Sequence, residues 1–159
     1  GKKLNTLIKN AKGSYIAKMD DDDIYMKNYL WDLSLPFKFT NCDIVGKKTC
    51  YSYLKDMKKS LLKSPGYEHV NTNFINGSTF IFKKKVWDKI KFDDITLGED
   101  TSFLEKIKKN KLSVYSSDSL NYMNIRYNDL SKHTFKNFKY DSLELKNESY
   151  LELYKKLDV

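Results

Sequence analysis

This chain has little arginine, cysteine, proline or glycine, and it has no long apolar run. Two cysteines in 159 residues, Cys42 and Cys50, lack the paired spacing of a metal site and are too few for a disulfide framework. Two free thiols in or beside strands are expected, with one disulfide between them as the alternative. Such sparse cysteine usage fits a reducing, cytoplasmic setting. Arg126 is the lone arginine among 29 basic residues. Direct base readout leans on arginine, so its near absence argues against sequence-specific nucleic-acid binding. The net charge of +8 is therefore a lysine charge, compatible with an anionic nucleotide, an acceptor or a membrane surface. No segment approaches the roughly 18 apolar residues of a membrane span, and no signal-peptide pattern is present. There are no repeats and no low-complexity linker. One domain over 1–159 is expected, with a helical tail over 142–159.

What the sequence does have is four consecutive acids. Asp20, Asp21, Asp22 and Asp23 follow Ser14-Tyr15-Ile16-Ala17-Lys18-Met19, which reads as a short buried strand. Clustered carboxylates raise each other's pKa or recruit a cation. Hard divalent cations prefer carboxylate oxygens, and α/β sheets bind ligands at the carboxyl ends of their strands. The pattern therefore suggests a Mg²⁺ or Mn²⁺ site. An EF-hand loop counted from Asp20 would need a ligand where Ile24 stands and glycine where Tyr25 stands, so that reading fails. A solvated acidic turn that also caps the next helix is the plain alternative.

Hydrophobic spacing supplies the rest of the outline. Leu4, Leu7, Ile8 and Ala11 predict a helix ended by Gly13. A second helix is expected over 26–34, with Tyr25 and Met26 at its start and Pro36 halting it. Asp43–Val45 and Thr49–Tyr53 read as strands around a turn at Gly46. The lysine-rich stretch 54–66, closing in Ser64-Pro65-Gly66, reads as an exposed connection or lid. A strand over 78–82, a helix over 83–90 and a loop over 92–98 follow. Glu99 and Asp100 then open a helix whose core face is Phe103, Leu104 and Ile107. Strands are expected over 112–115 and 120–127. Strands alternating with helices, yet clustered after residue 43, predict an α/β fold with a mixed sheet.

Two further signals bear on chemistry. In Gly98-Glu99-Asp100 the acids would be stabilised by the helix dipole; they are either simple caps or include a carboxylate that serves as a general base. Arg126 can hold phosphate bidentately, and a neutral His133 can ligate a metal, although a lone histidine is more often a packed or surface residue. His69 is a weaker candidate.

In order and spacing, these elements resemble family 2 glycosyltransferases of the GT-A fold. The resemblance rests on Asn5 in the opening helix, Ala11-Lys12-Gly13-Ser14-Tyr15-Ile16-Ala17, the acids, and the Ile24-Tyr25-Met26 start that follows them. It continues through Asn76-Gly77-Ser78-Thr79-Phe80-Ile81-Phe82-Lys83, Gly98-Glu99-Asp100-Thr101-Ser102-Phe103 and Ser131-Lys132-His133-Thr134. It spans most of 1–135.

The resemblance implies a metal-dependent, inverting transfer of a sugar from a nucleotide-sugar donor to a hydroxyl of a glycan or other acceptor, in surface polysaccharide or glycan synthesis at the inner face of the membrane. Asp22 would bind Mn²⁺ or Mg²⁺, and Asp20 would face the ribose or the metal through water. Asp100 would be the base, with Glu99 supporting it or binding the acceptor. His133 would complete the metal or diphosphate shell, and Arg126 would lie on the nucleotide side. The family's opening uracil- and ribose-binding strands would precede Gly1, and Leu4 stands where the family often has arginine. The implied sheet is GT-A-like, flanked by helices and incomplete at its amino-terminal side. Its open edge would be covered or would serve association with a second copy. Two alternatives stand beside this reading: a catalytically silent GT-A remnant that binds a glycan or a partner, and a nucleotidyltransferase.

Overall fold

The computed structural model describes residues 1–127, 129 and 145–159. Its elements run α1 (Lys2–Asn10), β1 (Tyr15–Ala17), β2 (Ile24–Tyr25), α2 (Tyr29–Ser34), α3 (Pro36–Phe39), β3 (Ile44–Gly46), β4 (Cys50–Leu54), β5 (Lys59–Lys63) and β6 (Val70–Asn71). A 3₁₀ turn at Gly77–Thr79 leads to β7 (Ile81–Lys83), α4 (Lys84–Lys89), α5 (Glu99–Lys109), β8 (Val114–Ser116), β9 (Tyr122–Arg126) and α6 (Tyr150–Leu157). Among the described residues the fold is mixed α/β with two sheets, not one. The first has the order β1-β7-β3-β8-β6, the second β2-β9-β4-β5. Each contains one parallel pair, β3 with β8 and β4 with β9, and antiparallel pairs elsewhere.

Helix α1 forms on the expected face, but Ile8 alone is buried; Leu7 is 69% exposed. The helix ends at Ala11 in extended backbone, before Gly13 is reached. Asn5 ties it down. Its amide donates to the Phe92 carbonyl at 2.8 Å, and its oxygen accepts from the Trp87 indole at 2.8 Å and the Phe92 amide at 3.1 Å. Strand β1 is not buried as expected. Among the described residues it lies at a sheet edge, paired only with β7, and Tyr15 and Ala17 are exposed. Its register opposes Ile16 to Phe82, and the main-chain N–H of Lys18 donates to the Phe80 carbonyl. By antiparallel alternation the main-chain groups of Tyr15 and Ala17 point away from the sheet.

Other expectations change as well. Ile24–Tyr25 is a strand paired with β9, because Tyr25 is needed against the Tyr122 ring, 5.3 Å away. Helix α2 ends at Ser34, ahead of Pro36 as expected, but Pro36 also begins a new helix. It occupies the first turn of α3, where a missing N–H costs nothing. Gly46 is no turn; it sits inside β3, where a Cβ would come 2.5 Å from Ile75 Cδ1. The strands beside it belong to different sheets. The lysine-rich stretch is not a lid, since β5 pairs antiparallel with β4. Ser60 and Leu61 are buried inside it, and its lysines flank that buried pair.

The principal core mixes aromatic and aliphatic side chains and lies against the first sheet, where α5 inserts Phe103, Leu104 and Ile107. Phe92 stacks on Phe103 with centroids 4.1 Å apart. The tail helix α6 carries a Ser149–Glu152 capping box and buries Leu153 and Leu157 in the cluster that holds Met123. The first residues of the expected tail, 142–144, fall outside the described residues. Cys42 and Cys50 are buried and free. No described helix is long and apolar enough to cross a membrane.

Tyr29 is 1% exposed, and its hydroxyl has no hydrogen-bond partner among the described residues. Burial pushes its pKa well above the ordinary value of 10.0. The unfolded chain ionises this group near pH 10 and the folded chain does not. Its contribution to stability is therefore present below that pH and lost as pH rises beyond it. Tyr29→Phe should stabilise the protein by about 1 kcal/mol near neutrality, by removing an unsatisfied buried hydroxyl. It should also flatten the alkaline loss of stability. Urea denaturation of both proteins between neutral and alkaline pH measures this; an equal alkaline slope would count against it.

Candidate active site

Three segments meet at the end of β1. The first is the acidic turn, held by its fourth aspartate. Asp23 is buried. Its Oδ2 accepts from the Tyr122 hydroxyl at 2.6 Å, and its Oδ1 accepts from Asn124 Nδ2 at 2.7 Å and the Ile125 amide at 3.1 Å. Burial raises its pKa against the pull of these donors. Tyr25 completes the clamp by accepting from the Asp20 amide and donating to the Ser78 carbonyl, both at 2.8 Å. Asp23 points inward and satisfied, which leaves Asp21 and Asp22 exposed and Asp20 half-buried. Each of Asp20, Asp22 and Asp23 offers an oxygen within 4.8 Å of the others.

The second segment is the start of α5. Gly98 caps it with φ of 84°, a left-handed conformation that glycine adopts without strain. That geometry turns Glu99 and Asp100 into the first turn, where the helix dipole favours acids. Burial raises the pKa of Asp100, and the neighbouring Lys18 partly offsets this. The third segment is the 3₁₀ turn. A Cβ on Gly77 would lie 2.1 Å from Asp100 Oδ2, so the absence of a side chain there makes the seat for this carboxylate.

One ammonium links the three. Lys18 Nζ donates to Asp20 Oδ1 at 2.8 Å and to the Gly77 carbonyl at 3.2 Å, and it lies 3.2 Å from Asp100 Oδ2. Burial disfavours its charge, but Asp100 and Asp20 outweigh that, and its pKa is raised overall.

Asp20, Asp22 and Asp100 thus share one site, with Glu99 beside Asp100. Arg126 is buried at the end of β9, the strand whose Asn124 and Ile125 hold Asp23. His133 lies outside the described residues. His69 is exposed with φ of 55°, in the loop before β6. Sequence reasoning passed over Lys18, Asp23, Gly77 and Tyr122. A signal for Lys18 was present: a lysine at the end of a strand, two residues before the acids. Nothing local distinguished Asp23 from its three neighbours.

As a donor set, the carboxylates suit a hard divalent cation. Asp23 already accepts three hydrogen bonds, so Asp20 and Asp22 are the acids left to hold one. No family model matches this chain, and no curated protein matches it.

The contact between Gly77 and Asp100 is testable by stability alone. Gly77→Ala should cost about 1–3 kcal/mol, as overpacking does. Pairing it with Asp100→Ala should recover part of that loss, a non-additivity of about 0.5–3 kcal/mol. Urea denaturation of the two single variants and the double variant reads the coupling; strict additivity would mean that the two residues do not meet.

Proposed function

We propose that this chain carries the site of a metal-dependent, inverting glycosyltransferase of GT-A type, which moves a sugar from a nucleotide-sugar donor to a hydroxyl acceptor. The observation that supports it is the meeting of Asp100 with the acidic turn through Lys18. No local rule brings residues so distant in sequence together. The ordered series of motifs from Asn5 to Gly98-Glu99-Asp100 supports it as well.

In this reading Asp20 and Asp22 would hold Mn²⁺ or Mg²⁺. When bound, the ion supplies Lewis-acid neutralisation of the departing nucleoside diphosphate. Asp100 takes the proton of the acceptor hydroxyl. The freed oxygen forms its bond to the anomeric carbon as the bond from that carbon to phosphate breaks, and the electron pair leaves with the diphosphate. Burial makes Asp100 a better proton acceptor than an exposed aspartate, which moves it toward the range where a general base works. Glu99 stands next to it on the acceptor side. Arg126 is assigned to the nucleotide side by resemblance, and so is His133. Synthesis of surface glycans at the inner face of a membrane fits a lysine-rich chain of net charge +8, since anionic surfaces attract such charge.

One observation favours a second reading, glycan or partner binding without transfer. Asp100 Oδ1 is buried without a hydrogen-bond partner among the described residues, and its other oxygen is held by Lys18. An acceptor hydroxyl reaches this carboxylate only after the side chain turns.

The test is release of nucleoside diphosphate from nucleotide-sugar donors in the presence of Mn²⁺ and hydroxyl acceptors. Asp100→Asn should lower the rate by about 10²–10⁴-fold, the usual cost of losing a general base, and should leave donor binding intact at saturating Mn²⁺. Asp22→Asn should lose metal-dependent turnover. Wild-type rates in Asp100→Asn would overturn the assignment. Glycan binding without turnover would select the second reading.

A further inference from the structure

We propose that Lys18 couples the cation-binding acids to Asp100, so that loading one changes the other. The inference rests on the reading of Asp20 and Asp22 as a cation site. Lys18 touches neither the cation nor a sugar in that reading; it is a positioning residue.

The geometry is specific. The Lys18 side chain is 10% exposed, so water offers its ammonium little. An ammonium has three N–H donors. Here all three have acceptors: Asp20 Oδ1, Asp100 Oδ2 and the Gly77 carbonyl. The carbonyl is fixed by the 3₁₀ turn, so only the two carboxylates can exchange their share of the charge. A cation that draws on Asp20 competes with Lys18 for the charge of that one carboxylate, whose Oδ1 the ammonium holds. Once Asp20 turns to the cation, Lys18 has Asp100 as its remaining anion. Conversely, removing the charge of Asp100 leaves Asp20 as the sole anion of Lys18, and Lys18 then resists the cation more strongly. Coupling of this kind is reciprocal. It would fix the order of events at the site: filling the donor-side acids draws the ammonium onto the acceptor-side carboxylate, and emptying them releases it.

The experiment is a Mn²⁺ titration of the full chain, with free Mn²⁺ followed by electron paramagnetic resonance. It uses wild type, Lys18→Met, Asp100→Asn and the double variant. Lys18→Met should tighten Mn²⁺ binding by about fivefold or more, the lower end of typical coupling between sites. Asp100→Asn should weaken binding in the wild-type background, and that effect should vanish in the Lys18→Met background. Lys18→Arg should stay near wild type. If Lys18→Met fails to fold by circular dichroism, Lys18→Gln removes the same charge and carries the same expectation. An Asp100→Asn effect of equal size in both backgrounds is plain through-space electrostatics and overturns the coupling. Binding that depends on Asp22 but ignores Lys18 overturns the inference and leaves the cation site standing. Absent binding, or binding that survives Asp22→Asn, overturns the cation site and the inference with it.

Discussion

The site depends on where one lysine puts its charge. Lys18 sits at the end of an edge strand, and its ammonium is shared by the acidic turn, the 3₁₀ turn and the start of α5. Without a cation between them, Asp20 and Asp100 would be two carboxylates converging on a partly buried place, and such groups neutralise or move apart. Exposed ion pairs contribute little to stability. Here the ammonium is largely out of water while Asp20 keeps contact with solvent, so removing the carboxylates strands charge on the lysine, which is costly. The lysine therefore holds together a constellation that the acids alone would disperse.

The two sheets explain why the constellation is placed there. The first positions β1 through its pairing with β7, and the residues just before β7 form the turn that carries Gly77. The second sheet receives the chain after the acids, where β2 pairs with β9. The acidic turn is thus the crossing from one sheet to the other. Asp23 is fastened to β9, whereas Lys18 is fastened to the first sheet through the Phe80 carbonyl. A turn pinned at both ends has its side-chain directions decided by the sheets. Asp23 goes inward, and Asp20 and Asp22 are left toward solvent.

Much of the outline was legible in the sequence because it followed local patterns. The helix at Glu99 was marked by Gly98 and by Phe103, Leu104 and Ile107, all three buried as the spacing required. The helix after β7 likewise buries Val86, Trp87 and Ile90. The misreadings share one cause. Lysine density around 54–66 looked like solvated loop, yet in β5 Ser60 and Leu61 are covered on opposite faces while its lysines lie to either side. Pro36 looked like a stop and is also a start: α2 ends ahead of it and α3 opens on it, because proline suits the first turn of a helix. Gly46 looked like a turn and is a close approach to Ile75.

By itself the sequence determined that four acids follow a strand, that two more open a helix behind a glycine, and that the chain alternates strands with helices. Those features depend on neighbours in the chain, where periodicity and capping chemistry act. Only the tertiary structure decided that there are two sheets, that β1 is an edge, and that Asp23 of the four acids is the buried anchor. It also decided that Lys18 and Gly77 belong to the site. Each of these depends on contacts between residues far apart in sequence. A lysine beside acids is ordinary until a sheet carries it to a third carboxylate, and a missing Cβ acquires meaning when another side chain fills its space.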